Sequence, residues 1–304
     1  MASTAELPVA ARFGQGPPLI LLALLLTCAA PLWLLLLAPL LLGVPHLLAD
    51  LRYLVLQRPG GMTRTLALAI LAPLAAMTLL RLGALAGSGA WPRLEIACGM
   101  AAILVGAVGG ARQSHARGAF ALALVGLALL ACADPAITQL LLAHAHNVVA
   151  LLWFLAWCQS RQVARATLLI YVVAALTLGL GLLPARIQPT AGTFTWSSLT
   201  DSLGPGLDAP WADRLVLSYA FAQTVHYALW LWLIPGQRRQ SGRGLRADLG
   251  GTPGLVLAAG ACVLVPALAL RDPTAVRSTY LSLALFHGWL ELAVAAFLGA
   301  GRSR

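Results

Sequence analysis

The sequence contains no lysine, and charged residues of all kinds make up only 10% of its 304 positions, against 60% hydrophobic residues. Soluble domains usually carry about a quarter of their residues as charged side chains. A soluble fold is therefore excluded, because so little charge cannot cover a surface that faces water. The net charge of +10 comes from arginines that lie between apolar runs and do not cluster on one face or tail. This pattern argues against nucleic-acid binding and is typical of the loops of a membrane protein.

Cysteine pairs and several catalytic motifs are also absent. The five cysteines each stand alone in an apolar run and no CxxC pair occurs, which excludes a disulfide framework and a cysteine zinc site. The sequence has no GxSG nucleophile motif and none of the HxxxH or HxxHH boxes of di-iron desaturases. We therefore expect neither intramembrane serine proteolysis nor di-iron desaturation.

Long apolar runs fill the chain between residues 19 and 298, with short polar joints between them. A bilayer core about 30 Å thick is crossed by about 20 apolar helical residues, and only helices satisfy their own backbone in lipid over such runs. The sequence thus predicts an all-α, polytopic transmembrane helical bundle that forms a single domain over residues 1–304. We predict about ten spans, at residues 18–37, 40–57, 63–81, 94–111, 118–133, 136–158, 166–184, 213–235, 252–270 and 277–300.

The first apolar stretch, residues 17–56, is too long for one span, and we predict that it breaks near Pro39. With that layout, fourteen of the twenty arginines fall in alternate loops on one side of the membrane. Short arginine-rich loops stay in the cytoplasm. This predicts cytoplasmic N and C termini in a bacterial-type inner (plasma) membrane. If the stretch is a single span, only the N-terminus changes side.

Two of the joints are long. The outer one, residues 184–213, carries Phe194, Trp196 and Trp211, and it is expected either to cover the bundle as a lid or to anchor in the membrane interface. The inner one, residues 236–254, is basic and rich in glycine but lacks the GKS/T ending of a phosphate loop. We expect the inner joint to contact anionic lipid.

Histidines are concentrated inside the predicted spans. Of the six, His115 lies in a loop, and the five within spans are His46, His144, His146, His226 and His287. These five fall on spans two, six, eight and ten, which all run from outside to inside, at depths of about 9–20 Å at 1.5 Å per residue. Ionisable residues in lipid are rare and usually functional. The shared depth predicts one layer of imidazoles that binds iron, copper or zinc.

Two carboxylates accompany these histidines, since Asp50 lies four residues after His46 and Glu291 lies four residues after His287. On a helix such pairs share a face, so each carboxylate can accept the second ring N–H and orient the ligand. The alternative for Asp50 is an ion pair with Arg52.

The two histidines of span six cannot both bind the same metal. His144 and His146 lie about 200° apart around a regular helix. Asn147 lies on the side of His144, which slightly favours His144 as the ligand, and both stay candidates.

Span eight has one further polar and aromatic face. Its Tyr219, Gln223, His226 and Trp230 align along the helix and offer hydrogen-bond donors and an aromatic wall beside a substrate. Packing alone explains such a stripe equally well, so Tyr219 and Trp230 are secondary candidates for the catalytic site.

Residues 43–50, GVPHLLAD, resemble the G-x-P-H-G-x-x-D motif of the Brp/Blh family of membrane β-carotene 15,15′-dioxygenases. The order of the later histidines is also similar to that family. Residues 144–147 (HAHN) would correspond to its second histidine motif, residues 221–226 (FAQTVH) to its third, and residues 287–291 (HGWLE) to its last histidine followed by Asp. The chain departs from the family at Leu47, which replaces a glycine, at Trp230, which replaces a histidine, and at Glu291, which replaces an aspartate. Residues 144–147 also lack the glycine and the aspartate of the second motif.

The resemblance implies a non-haem iron held by histidines, dioxygen as co-substrate and cleavage of a carotenoid to retinal. We therefore expect a divergent relative, a membrane-embedded oxygenase that uses Fe(II) and acts on an apolar, lipid-soluble isoprenoid. One alternative is a haem or copper protein for electron transfer, which an optical spectrum would identify. The other is a proton- or metal-coupled transporter, which uptake into vesicles would identify.

Overall fold

The computed structural model describes residues 15–111, 127, 130–235 and 244–301. Within these residues the chain is helical, apart from one two-stranded hairpin and the connecting turns. Seven of the described helices are long and apolar enough to cross a membrane. The predicted all-α class is therefore confirmed, and the total of ten spans and the side of each terminus stay predictions.

The helices are named here in chain order. They are α1 (Gly16–Ala29), α2 (Pro31–Asp50), α3 (Arg64–Leu85), α4 (Pro92–Gly110), α5 (Pro135–Trp157), α6 (Arg161–Gly179), α7 (Trp196–Leu203), α8 (Ala209–Ala228), α9 (Leu245–Asp248), α10 (Thr252–Ala269), α11 (Pro273–Ala284) and α12 (Phe286–Gly301). The two strands are β1 (Thr190–Ala191) and β2 (Phe194–Thr195). π-Helical turns extend α2 over Leu51–Leu56 and α8 over Leu229–Leu233, and a 3-10 turn covers Pro59–Gly61.

The first apolar stretch breaks at Ala30, so the predicted break near Pro39 is wrong. Ala30 has non-helical backbone angles (φ −152°, ψ 56°), and Pro31 begins α2. Proline suits the first position of a helix, because its missing N–H has no intrahelical partner there and its φ is already helical. Pro39 and Pro45 lie inside α2, since helices in lipid tolerate proline where neighbouring groups satisfy the freed carbonyl. With 14 residues, α1 is shorter than the about 20 that a crossing needs.

The later predicted spans agree with the structure to within a few residues for α3 to α6, α8, α10 and the pair α11–α12. The last of these has an interruption at Leu285, between α11 and α12. α8 is not among the seven candidate spans, and it carries several buried polar side chains in place of apolar ones. Most of the predicted span 118–133 lies outside the described residues, as does His115.

The described chain divides into two compact units, so the predicted single domain stays a prediction. The first unit contains the described parts of Met1–His46 and Asn147–Gly242, and the second those of Leu47–His146 and Arg243–Arg304. In the first unit, α8 packs against α1, α6 and α7. Eleven of its residues are buried, which makes α8 the central helix of that unit.

The outer joint, residues 184–213, is folded within the first unit. Its β1 and β2 pair in antiparallel fashion, and α7 follows directly. Trp196 Nε1 donates a hydrogen bond to Asp213 Oδ1 at 2.7 Å. Phe194 and Trp196 are buried, whereas Trp211 is exposed. Two of the three aromatic residues therefore hold the joint together, and Trp211 is the one available to the membrane interface.

In the second unit, α12 packs closely along α4 and also contacts α3. Gly99 of α4 lies against the indole of Trp289, and Gly106 lies against the backbone carbonyl of Ala293. A side chain at Gly106 would collide with that carbonyl oxygen, so the close approach of the two helices depends on glycine. The α4–α12 seam thereby fixes the helix that carries His287.

Two ion pairs fasten other helices of the second unit. Arg52 Nε lies 2.7 Å from Asp248 Oδ2, and Gln57 Nε2 donates to the same oxygen at 3.0 Å, which ties the end of α2 to α9. Arg81 Nη2 lies 2.6 Å from Glu95 Oε2 and ties α3 to α4. Arg52 thus pairs with Asp248, which lies in the inner joint that the sequence predicts to contact lipid.

Candidate metal centre

The predicted site residues are largely buried. Four of them are at most 1% exposed, namely His46, Asp50, His226 and Glu291. The half-buried ones are His144, His146 and His287. Burial of ionisable groups costs free energy, and such groups are retained inside proteins when they are paired or bind a metal. We therefore expect the burial of these side chains to reflect a function.

Within the first unit, the rings of His46 and His226 face each other. Their Nε2 atoms are 3.0 Å apart and their planes are nearly perpendicular, with the centroids 4.6 Å apart. A single ion about 2.1 Å from each nitrogen would see the two at roughly 90°, the angle of neighbouring ligands in an octahedron. Without an ion, the same distance is that of an N–H···N hydrogen bond. The spacing of the pair is therefore compatible with two adjacent ligands of one metal and also with a direct hydrogen bond between the rings.

Aromatic side chains surround this pair. The ring of Tyr227 lies 5.3 Å from that of His46 and 6.0 Å from that of His226, and the ring of Trp230 lies 6.1 Å from that of His46. Gln223 Nε2 donates to the hydroxyl of Tyr227 at 3.5 Å. Trp230, a sequence candidate, is fully buried. Tyr219, the other aromatic candidate, is also buried, about three turns earlier along the same helical stretch.

Sequence periodicity missed Tyr227. A residue that directly follows His226 lies about 100° away around a regular helix, so it was not assigned to the same face. Its ring nevertheless reaches the histidine pair at the point where α8 changes into its π-helical turn. The signal that could have identified Tyr227 was its position next to a buried histidine.

Within the second unit, His146 of α5 and His287 of α12 form another pair. Their ring centroids are 5.2 Å apart and the planes are nearly perpendicular. His146 Nδ1 lies 2.9 Å from the carbonyl of Leu142, and His287 Nδ1 lies 2.5 Å from that of Ala284. Because a carbonyl only accepts hydrogen bonds, both rings carry their proton on Nδ1, and Nε2 is the nitrogen with the lone pair. This is the tautomer of a histidine that binds a metal through Nε2.

The structure brings His146 against His287. A Cβ added at Gly288 would lie 3.3 Å from His146 Cβ, so a larger residue at 288 would crowd the His146 side chain. The position of Asn147 favoured His144 in the sequence, but Asn147 belongs to the first unit and His146 to the second. Which of the two histidines binds a metal stays a prediction.

Asp50 and Glu291 belong together in the second unit. Their carboxyl groups are fully buried and interact electrostatically. Two ionised carboxylates at close range repel each other, and in a medium of low dielectric constant a proton or a cation must compensate them. The pair is therefore suited to hold a proton or a bound cation.

Both units carry side chains of metal-binding types, two imidazoles (His46 and His226) in the first and an imidazole with a carboxylate (His287 and Glu291) in the second. Imidazole and carboxylate donors without any thiolate suit iron, copper or zinc. The sequence assigned Glu291 the role of orienting His287, and a carboxylate is also a metal ligand type in its own right.

No family model, no curated protein and no solved structure matches the chain. The similarity of residues 43–50 to the Brp/Blh motif therefore remains an expectation from the sequence.

Proposed function

We propose that this protein is a membrane-embedded non-haem iron oxygenase that acts on an apolar isoprenoid or similar lipid. Oxidative cleavage of a carotenoid is the specific reaction that we propose. The observation that supports this most directly is the His46–His226 pair, with its Nε2 atoms 3.0 Å apart in a fully buried setting. An apolar substrate fits a chain whose described helices are built for the interior of a membrane.

In this proposal His46, His226 and His287 are metal ligands, and the fourth donor is Glu291, His144 or His146. Imidazole and carboxylate donors that leave coordination positions open are typical of iron sites that bind dioxygen. Bound ferrous iron would supply that dioxygen chemistry. Asp50 would orient a ligand histidine, and Glu291 would do the same if it is not a ligand itself.

The chain's own residues would protect the reaction from water and fix the ligands. The Leu142 and Ala284 carbonyls hold the protons of two imidazoles on Nδ1. The buried rings of Tyr227 and Trp230 enclose His46 on its own unit. Exclusion of water limits side reactions of activated oxygen.

The spacing of the histidine pair supports iron over a haem bound between these two rings. Two imidazoles on opposite sides of a haem have their ligating nitrogens about 4 Å apart, because each metal–nitrogen bond is about 2.0 Å. The 3.0 Å between His46 Nε2 and His226 Nε2 is too short for a haem between them. Copper, which takes the same donors without a macrocycle, is the closer alternative to iron.

Metal analysis tests the site. The protein purified without oxygen should hold iron, and His46→Ala, His226→Ala or His287→Ala should each lose most of it. His115→Ala is the matched control, because His115 is predicted to lie in a loop, and it should bind as much iron as the wild type. A Soret band, or metal content unchanged by all three replacements, would contradict the proposed site.

Expression in a host that accumulates β-carotene tests the reaction. Cleavage bleaches the pigment and leaves retinal, and the His46→Ala variant should leave the colour unchanged. An iron-loaded wild-type protein that leaves the pigment intact would rule out carotenoid cleavage but keep the metal site.

A proton- or metal-coupled transporter is the second candidate, and the buried Asp50–Glu291 pair favours it, because carboxylates inside membranes often carry protons or ions. Vesicles that contain the purified protein would take up protons or divalent ions in that case. An oxygenase would move neither.

A further inference from the structure

The second unit contains an apolar pocket that the proposed function has not used so far. It encloses about 520 Å³ between α3, α10 and α11, within the about 300–1,000 Å³ of small-molecule sites. Nine of its twelve lining residues have hydrocarbon side chains, and the other three are Thr78, Thr279 and Tyr280. Thr78 already donates its hydroxyl to the carbonyl of Leu74. The pocket has no charged residue in its lining and is suited to a hydrocarbon.

One wall of the pocket is the turn that holds His287. Ala284 and Phe286 both line the pocket, and they flank Leu285, where the helix is interrupted between α11 and α12. The carbonyl of Ala284 accepts the Nδ1 proton of His287 at 2.5 Å. A molecule in this pocket therefore lies beside the backbone that orients a candidate metal ligand.

Part of the pocket lining belongs to a candidate membrane span. Thr279 and Tyr280 follow the start of α11 at Pro273 by six and seven residues, or about 10 Å at 1.5 Å per residue, within a candidate span of 28 residues. At that depth the surroundings are hydrocarbon. A charged head group would find no charged partner among the described residues of the lining.

We propose that this pocket binds the hydrocarbon chain of the substrate and places it beside the Ala284 turn that orients His287. The proposal rests on the proposed function and adds the place of binding and the chemistry of the bound segment, an uncharged isoprenoid chain. The acyl tail of a bilayer lipid is also a hydrocarbon chain. Competition between β-carotene and phospholipid for the pocket distinguishes the substrate from the bilayer lipid.

The experiment enlarges one side chain that lines the pocket and, as a control, one lipid-facing side chain on the same helix. Val265 of α10 lines the pocket, whereas Val263, two residues earlier, is 67% exposed and does not. The probe is a C16 hydrocarbon chain with a photoactivatable diazirine, added to the full-length protein in phosphatidylcholine nanodiscs without oxygen. Labelled peptides are identified by mass spectrometry, and iron content is measured on the same samples.

We expect the probe to label peptides of α3, α10 and α11 in the wild type, and β-carotene to displace it. Val265→Trp should lower this labelling at least about tenfold, equivalent to about 1.4 kcal/mol, because the indole occupies the space of the chain. Val263→Trp should label like the wild type. If Val265→Trp does not fold, as judged by gel filtration, Val276→Phe fills the pocket from α11 and is expected to act the same way.

Three results would overturn the proposal: equal labelling in Val265→Trp and Val263→Trp, labelling elsewhere in the chain, or labelling that β-carotene does not displace but added phospholipid does. The last result assigns the pocket to bilayer lipid. Iron content reports separately on the proposed function, since a protein without iron that still binds β-carotene in this pocket would disprove the oxygenase and keep the binding site.

Discussion

At the scale of single residues, the carboxyl group of Asp50 is fully buried and has a neighbouring carboxyl group, that of Glu291. Asp50→Asn keeps the size of the side chain and removes its capacity to be a carboxylate. We expect the affinity for iron to fall about 10–100-fold, the usual effect of losing a group that orients a metal ligand. Competition with a chelator measures this affinity.

The matched control for this change is Asp201→Asn in α7, where the carboxylate is exposed. It should bind iron as tightly as the wild type. Equal affinities in both variants would show that Asp50 has no part in the metal centre.

His144 and His146 allow a second comparison at this scale. The ring of His146 packs against that of His287, at 5.2 Å between centroids. We therefore expect His146→Ala to lower iron affinity more than His144→Ala, either as a lost ligand or through a displaced His287. The same chelator competition measures both variants, and the reverse order would favour His144 as the ligand.

At the scale of helices, the α4–α12 seam depends on a few small residues. Gly106→Val would place a side chain against the carbonyl of Ala293, and overpacking of this kind typically costs about 1–3 kcal/mol. We expect a lower Tm together with weaker iron binding, because α12 carries His287 and Glu291. Gly260→Val in α10 is the control, since a Cβ at Gly260 meets nothing within 4 Å. Equal Tm values for the two variants would contradict this account of the seam.

Helix type and approximate extent could be predicted from the sequence, because about 20 apolar residues in lipid allow few other structures. The break in the first stretch could not. Pro39 and Pro31 look alike as helix breakers, and which of them begins a helix depends on what the surrounding helices supply. The candidate site could likewise be predicted only in part. Depth placed His46 and His226 at one level, whereas the contact of His146 with His287 and the approach of Tyr227 depend on how each helix is rotated.

At the scale of the whole molecule, the arginine distribution predicts that both termini are cytoplasmic and that residues 184–213 are external. Ser197 is exposed on α7, in that predicted outer joint. In a variant without native cysteines, Ser197→Cys should react with a membrane-impermeant maleimide added to intact cells, because it faces the outside. Ser241→Cys, in the predicted inner joint, should react only after the cells are opened. The opposite pattern would reverse the orientation of the chain.

The surroundings of α10 have a consequence for the motion of the protein. None of the residues of α10 is buried, yet this helix forms one wall of the hydrocarbon pocket. In the second unit, α12 is locked to α4 by backbone contacts at glycines, and α10 has no buried side chain to hold it in the same way. We therefore expect spin labels attached to α10 to be more mobile than spin labels attached to α12, as measured by the width of their electron paramagnetic resonance lines. The outer wall of the pocket would then move more freely than the seam that holds His287.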